Sequence, residues 1–453
     1  MNPAPRFLQY YLAASISPAK GYPAMKLFPA VHRSLFPTFL ILVAVGAATA
    51  ENWPQWRGPD NDGLSGETHL PTKWSATENV AWKLPLPGSG GSTPAVWGDR
   101  VFITCQDGGD VVLLCVGTDG KEVWHQKVGA GAGKTGPGGD EGNGASASPS
   151  TDGKYVYAFT GAGDLACFDF DGHEVWKCNA QERYGKFKMQ WGFHSTPLLD
   201  GDRLYLQLFH SGAHLLIALD KTDGKEVWKA ERKSDGRAEN EQSYASLVMW
   251  RKGKDAYLIA HGDDYATAHR LSDGSEIWRV GGLNPKDHYR NDLRFVASPV
   301  ASPDLIVVPS AKDHAVVGVK PDATGLVEDG SPFQQWRLPK GTPDVPSPLI
   351  YDGLVYLCRE DGHLVCLDAK TGEEKYNQRL HPSRYRASPV VADGNIYLTA
   401  RDGVVTVVKA GAKFEQVAVN TLPDQFAASP AVSSGRIYFH GFNALYAIGP
   451  KGK

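Results

Sequence analysis

The stretch DGKEVW, Asp119–Trp124, decides how this chain is read, because the same six letters return at Asp223–Trp228. Near-copies, DGHEVW and DGSEIW, end at Trp176 and Trp278. Gly in such a turn permits positive φ, and the Asp before it bonds back to the backbone. The Trp that follows is a large apolar plate on a short strand. Each part has a structural task, so the phrase reads as a building part and not as a catalytic motif.

Longer units surround each copy. They run Ser146–Trp176, Ser195–Trp228 and Pro346–Tyr376, each with four short alternating segments separated by turns. A Ser/Thr-Pro marker opens most units: Thr93-Pro94, Ser148-Pro149, Thr196-Pro197, Ser298-Pro299, Ser347-Pro348, Ser388-Pro389 and Ser429-Pro430, with Ser246-Leu247 filling the gap. Four strands recurring at this spacing predict an all-β, eight-bladed β-propeller of four-stranded antiparallel blades. Pro is tolerated there because one edge of an innermost strand faces the central channel. The last unit supplies only three strands before the chain ends. An orphan strand near the amino terminus, NVAWKLPL at 79–86, fits as its missing outer strand. The ring is therefore expected to close by pairing the two ends of the chain.

With 453 residues there is ample core for one large repeat domain, and 47 basic against 50 acidic side chains leave a formal charge of −3. That balance gives no nucleic-acid or membrane surface. Met25 opens a basic and then apolar segment ending in Ala48-Thr49-Ala50, the pattern of a secretory signal with cleavage after Ala50. A retained anchor is the alternative, and residues 1–24 are either an extended leader or an upstream start. The expected organisation is 1–50 signal region, 51–78 extension, 79–449 propeller and 450–453 tail. Export follows, to the periplasm ahead of the extracellular space or cell surface, as a monomer without an integral membrane span. Six cysteines fall into near pairs, Cys105/Cys115, Cys167/Cys178 and Cys358/Cys366, compatible with local disulfides or with buried thiols. No CxxC is present, and no spacing suits zinc.

The segments LDAKTGEEKY (Leu367–Tyr376) and ALDKTDGKEVW (Ala218–Trp228) resemble the tryptophan-docked propeller repeat of the pyrroloquinoline-quinone (PQQ) alcohol dehydrogenases. They are similar as well to PQQ-like repeat proteins that bind no quinone, among them the lipoprotein of the outer-membrane barrel-assembly machinery. The opening WPQWRGPDNDGLSG, Trp53–Gly66, looks like that of exported PQQ-like propellers of planctomycete type. The dehydrogenase resemblance implies PQQ with Ca2+, held by an adjacent Cys-Cys pair and by Glu, Asn and Asp oxygens. This chain has no adjacent cysteines and no CxxCH haem motif. Asn240, Glu241 and Asp263 are loose candidates for the oxygen ligands. The assembly lipoprotein carries a lipidated Cys after its signal, where this chain has Glu51. The expectation is a binding or scaffold propeller with no cofactor and a protein or saccharide partner. The alternative is an exported PQQ-dependent oxidoreductase.

Recognition residues tend to sit on loops held by a rigid scaffold. The loops entering the innermost strands of blades three to five are rich in aromatic and charged groups: 188–195, 238–245 and 287–297. Arg290, Arg294, Arg384 and Arg386 are candidates to clamp a carboxylate or phosphate. Trp191, Phe193, Tyr244 and Tyr289 are candidates to stack on a sugar or flat ring. His194, or His261 beside Asp263, is a candidate base. The alternative is that these polar groups satisfy one another. GAGAGKTGPGG, from Gly129, is no phosphate loop: the position where the first Gly should stand holds Val128.

Overall fold

The computed structural model describes residues 51–131 and 142–451; the expected signal sequence, the Gly133-Lys134-Thr135 stretch and the last two residues lie outside them. Eight sheets form the ring. Blade 1 comprises Ala95–Trp97, Arg100–Asp107, Asp110–Gly117 and Glu122–Ala130, paired in that order from the channel outward. Blades 2 to 7 repeat the pattern, with innermost strands at Ser150–Thr151, Leu198–Asp200, Val248–Lys252, Val300–Ala301, Leu349–Tyr351 and Val390–Ala392. Two blades gain a fifth, parallel strand: Gly325–Val327 lies outside blade 4, and Leu64–Ser65 lies inside blade 7.

Closure follows the sequence expectation. Val80–Pro85 pairs antiparallel with Ala444–Ile448, with Trp82 opposite Ala447, and becomes the outer strand of blade 8. Trp82 then reaches blade 1, donating from Nε1 to the Thr118 carbonyl at 2.8 Å.

The repeated phrase is the joint between blades. Trp124, Trp176 and Trp228 donate from Nε1 to the carbonyls of Phe170, Lys221 and Leu271 in the following blade, at 2.9 Å in each case. Under each ring sits the turn glycine of that blade, and a Cβ on Gly224 would lie 2.6 Å from the Trp176 ring. Gly224 has φ +67°, so both conformation and contact require glycine. In the same strands Val123, Val175 and Val227 point outward and are exposed. Period-2 alternation thus sends the Trp into the joint and the Val to solvent.

The markers do more than count blades. Thr93 N–H donates to Ser148 Oγ, Ser148 to Thr196, Thr196 to Ser246, Ser246 to Ser298, Ser298 to Ser347, Ser347 to Ser388 and Ser388 to Ser429, at 2.9–3.1 Å. Each marker hydroxyl from Ser148 to Ser429 therefore satisfies a buried N–H that the preceding blade cannot pair within its own sheet. The result is a belt of hydrogen bonds around the channel.

The segment before the ring caps one end of it. Trp53 is fully buried and exchanges backbone hydrogen bonds with Val96. Thr151 donates to the Pro54 carbonyl, Leu199 to Gln55 Oε1, and Val391 to the Gly63 carbonyl. These partners lie in the innermost strands, past the markers, so residues 51–65 strap the end of the channel away from the marker loops. All six cysteines are free thiols. Cys105 stands opposite Val112 and Cys115 opposite Phe102; Cys358 stands opposite Leu364 and Cys366 opposite Tyr356. The register offsets each pair, which settles the earlier alternative in favour of thiols.

Candidate functional site

At the marker end the channel opens into a cavity of about 440 Å³. Every blade contributes, by one rule: the residue two before each marker lines it. These are Gly91, Ser146, His194, Tyr244, Val296, Val345, Arg386 and Ala427. Each innermost strand begins two residues after its marker, so the loop residue two before the marker holds the same place in every blade. Arg294, Arg401, Trp191 and Phe442 complete the polar and aromatic wall. The opposite side, from blades 1 and 2, is small and polar: Ser89, Gly90, Gly142 and Asn143.

One carboxylate organises the aromatic side. Trp191 donates from Nε1 to Glu239 Oε1 at 2.7 Å, and Arg294 Nη1 stands 3.9 Å from the same oxygen. The Arg294 guanidinium lies over the Trp191 ring, 5.3 Å from its centroid. Glu239 thereby fixes plate and cation together. His194 Nε2 is 2.7 Å from the Trp191 carbonyl, and its ring packs beside Tyr244. Burial pushes the Tyr244 phenol up, so it stays protonated, and it donates to Gln242 Oε1 at 3.0 Å. Across the cavity Glu360 accepts from Arg384 and lies 3.4 Å from Arg386 Nη2. Arg401 stacks on Phe442 at 4.5 Å.

Of the sequence candidates, Trp191, His194, Tyr244, Arg294 and Arg386 meet in this cavity. The others do not line it, for reasons visible in their partners. Arg290 is held by both oxygens of Asp292, at 3.0 and 2.8 Å. Arg384 is committed to Glu360 on the rim. Asn240 is buried and donates to Asp264 Oδ1 and the Arg290 carbonyl, fixing the loop of blade 5. The Glu241 carbonyl lies 3.1 Å from His214 Nε2. Asp263 is fully buried against Arg232, with Oδ2 3.1 Å from Nη2. His261 is buried edge-on to Phe295, and desolvation holds its imidazole down at about 3. The proposed His261–Asp263 base is therefore corrected: a neutral, enclosed ring and a salt-bridged carboxylate are parts of the core between blades. The residues missed, Ser89, Asn143, Gln425 and Phe442 among them, follow from position relative to the markers and from the loops joining second and third strands.

A family model described as outer membrane protein assembly factor BamB matches residues 108–316 and 323–452. The chain belongs to this family. No curated protein matches it. Solved structures of similar fold include BamB from Moraxella catarrhalis, at 14% identity and TM-score 0.55, over 81% of this chain and 99% of that one. The quinohemoprotein alcohol dehydrogenase of Comamonas testosteroni is similar at 13% identity and TM-score 0.64, over 89% of this chain and 81% of that one. A europium-containing methanol dehydrogenase follows at 11% identity and TM-score 0.52, covering 87% and 90%. At these identities the likeness is one of fold.

The donor set of this BamB-family cavity is a poor match to a quinone–calcium site. Calcium takes several carboxylate and amide oxygens, whereas the described lining has no Asp or Glu and carries three arginines. The loose candidates do not converge there: none of Asn240, Glu241 and Asp263 is part of the lining. Among the described residues one cluster has metal-ligand proximity, Asp169, Asp171 and His173, on a turn at the edge of blade 2. No helix among them is long and apolar enough to cross a membrane.

Proposed function

We propose that this protein is an exported binding propeller whose channel mouth captures an acidic saccharide residue, a ring bearing a carboxylate. The observation that carries the reading is the convergence of Trp191, Arg294 and Arg386 in one concave cavity. An aromatic plate suits the face of a sugar ring, and a guanidinium suits a carboxylate. The small polar wall of blades 1 and 2 leaves room for hydroxyl groups and offers them Asn143 and Ser146. Binding is favoured over catalysis because the described lining offers no carboxylate to act as acid or base beside His194 and Tyr244.

The test is calorimetric titration of the purified protein with glucuronate and with glucose. Glucuronate is expected to bind and glucose to bind at least about tenfold more weakly, a difference of roughly 1.4 kcal/mol. Equal affinities, or glucuronate binding untouched by Arg294→Ala, would remove the basis of the proposal.

The likeness to quinoprotein dehydrogenases supports a second reading, an exported oxidoreductase carrying PQQ with Ca2+. Gel filtration after mixing with both separates the two. The binding reading expects no stoichiometric, calcium-dependent retention of quinone.

A further inference from the structure

A second cavity, of about 330 Å³, lies under the amino-terminal strap at the other end of the channel. Its roof is the strap turn, with Asp60, Asn61 and Asp62; its floor is the innermost strands of blades 3 to 6, with Leu198, Met249 and Ile350. It shares no lining residue with the channel-mouth cavity.

The roof is rich in acceptors and poor in donors. Asn61 is 3% exposed; its Nδ2 donates to the Trp56 carbonyl at 2.9 Å, and its Oδ1 has no donor. Asp62 Oδ1 accepts from Leu64 N–H at 2.9 Å, and no ion pair reaches the carboxylate among the described residues. The buried cation behind it, Arg57, is turned to the carbonyls of Asp62 and Pro348 at 2.5 and 2.6 Å. Burial accordingly pushes the Asp62 carboxyl up to about 6 in spite of Arg57. At the side of the cavity Arg251 is neutralised by Asp200. The lining thus combines unmet acceptors, a surplus of acidic groups and an apolar floor.

We infer that this cavity is a binding site for a small primary amine, with the ammonium at Asp62 and Asn61 and a short alkyl chain over Leu198, Met249 and Ile350. An ammonium supplies three N–H donors and no acceptor, which is what the roof lacks. Pairing with it brings a partly buried carboxylate the opposite charge that stabilises its ionised form. A cavity of about 330 Å³ roofed by the strap suits a small free amine better than the lysine of a protein partner.

The experiment uses the purified protein and n-hexylamine, with n-hexanol and Nα-acetyl-lysine methylamide as comparison ligands. One molecule of hexylamine should bind, and hexanol and the lysine derivative should each bind at least about tenfold more weakly. At pH 6 binding should release protons, seen as a dependence of the heat on buffer ionisation, because the ammonium ionises Asp62. Asp62→Asn should lower affinity by about tenfold or more. Met249→Trp, which fills the floor without changing charge, should block binding with the protein still folded. Arg294→Ala should have no effect, which keeps this result separate from that at the channel mouth. Absence of hexylamine binding, equal binding of hexanol, or full affinity in Asp62→Asn would each overturn the inference. Equal binding of the lysine derivative would overturn its assignment to a free amine.

Discussion

Replacing Ser298 by alanine isolates one link of the belt that joins the blades. Ser298 is 1% exposed, and its hydroxyl accepts the Ser246 N–H at 2.9 Å. Ser246 is buried as well, so the substitution leaves a buried donor unpaired and removes little apolar area. The expected loss is about 1–3 kcal/mol, the penalty for stranding a buried polar group. Ser310 provides the control. It too is fully buried, yet its Oγ has no partner, so Ser310→Ala deletes an unsatisfied group and is expected to be neutral or stabilising by up to about 1 kcal/mol. Urea unfolding of both variants, with unchanged slopes, reads the two effects directly. A Ser298→Ala midpoint no lower than that of Ser310→Ala would refute the belt as a source of stability.

Gly224→Ala forces a Cβ into the Trp176 ring at a residue with φ +67° and is expected to destabilise by about 1–3 kcal/mol in the same assay. Acidification should weaken the fold. Burial holds His210, His269 and His440 down at about 4 and His261 at about 3. Between pH 6.5 and 4 the unfolded chain therefore takes up protons that the folded one refuses, and stability falls by about 1.4 kcal/mol per pH unit for each such histidine. Asp62, raised to about 6, and Asp344, also raised by burial, act in the opposite sense as pH falls, but the four lowered histidines outnumber them. A urea midpoint at pH 5 equal to that at pH 7 would contradict these assignments. Glu239→Gln should weaken glucuronate binding by about tenfold through a displaced Arg294, although Glu239 itself touches no ligand in the proposal.

The ring was legible because its information is periodic. DGKEVW and the Ser/Thr-Pro markers repeat a local physical requirement, and the unpaired strand around Trp82 left one way to close. The extra parallel strands at Leu64–Ser65 and Gly325–Val327 were not legible, being too short to alternate. The candidate site was half legible. Loop composition pointed to the end of the channel where the marker-side cavity opens, but it weighed Arg290 and Asp263 equally with Arg294. Only geometry separates them, since an adjacent Asp292 occupies Arg290 and a buried Arg232 occupies Asp263. The rule that the residue two before each marker lines the cavity was available in the sequence, and it would have named His194, Tyr244 and Arg386 while passing over His261.

The central claim, that the channel mouth is a binding site for an acidic ring, is tested most directly by a crystal structure of the protein soaked in glucuronate. The account predicts one sugar in the channel-mouth cavity, its ring over Trp191 and its carboxylate within hydrogen-bond distance of Arg294 or Arg386. Glucuronate ordered elsewhere on the molecule, with that cavity holding solvent alone, would contradict it.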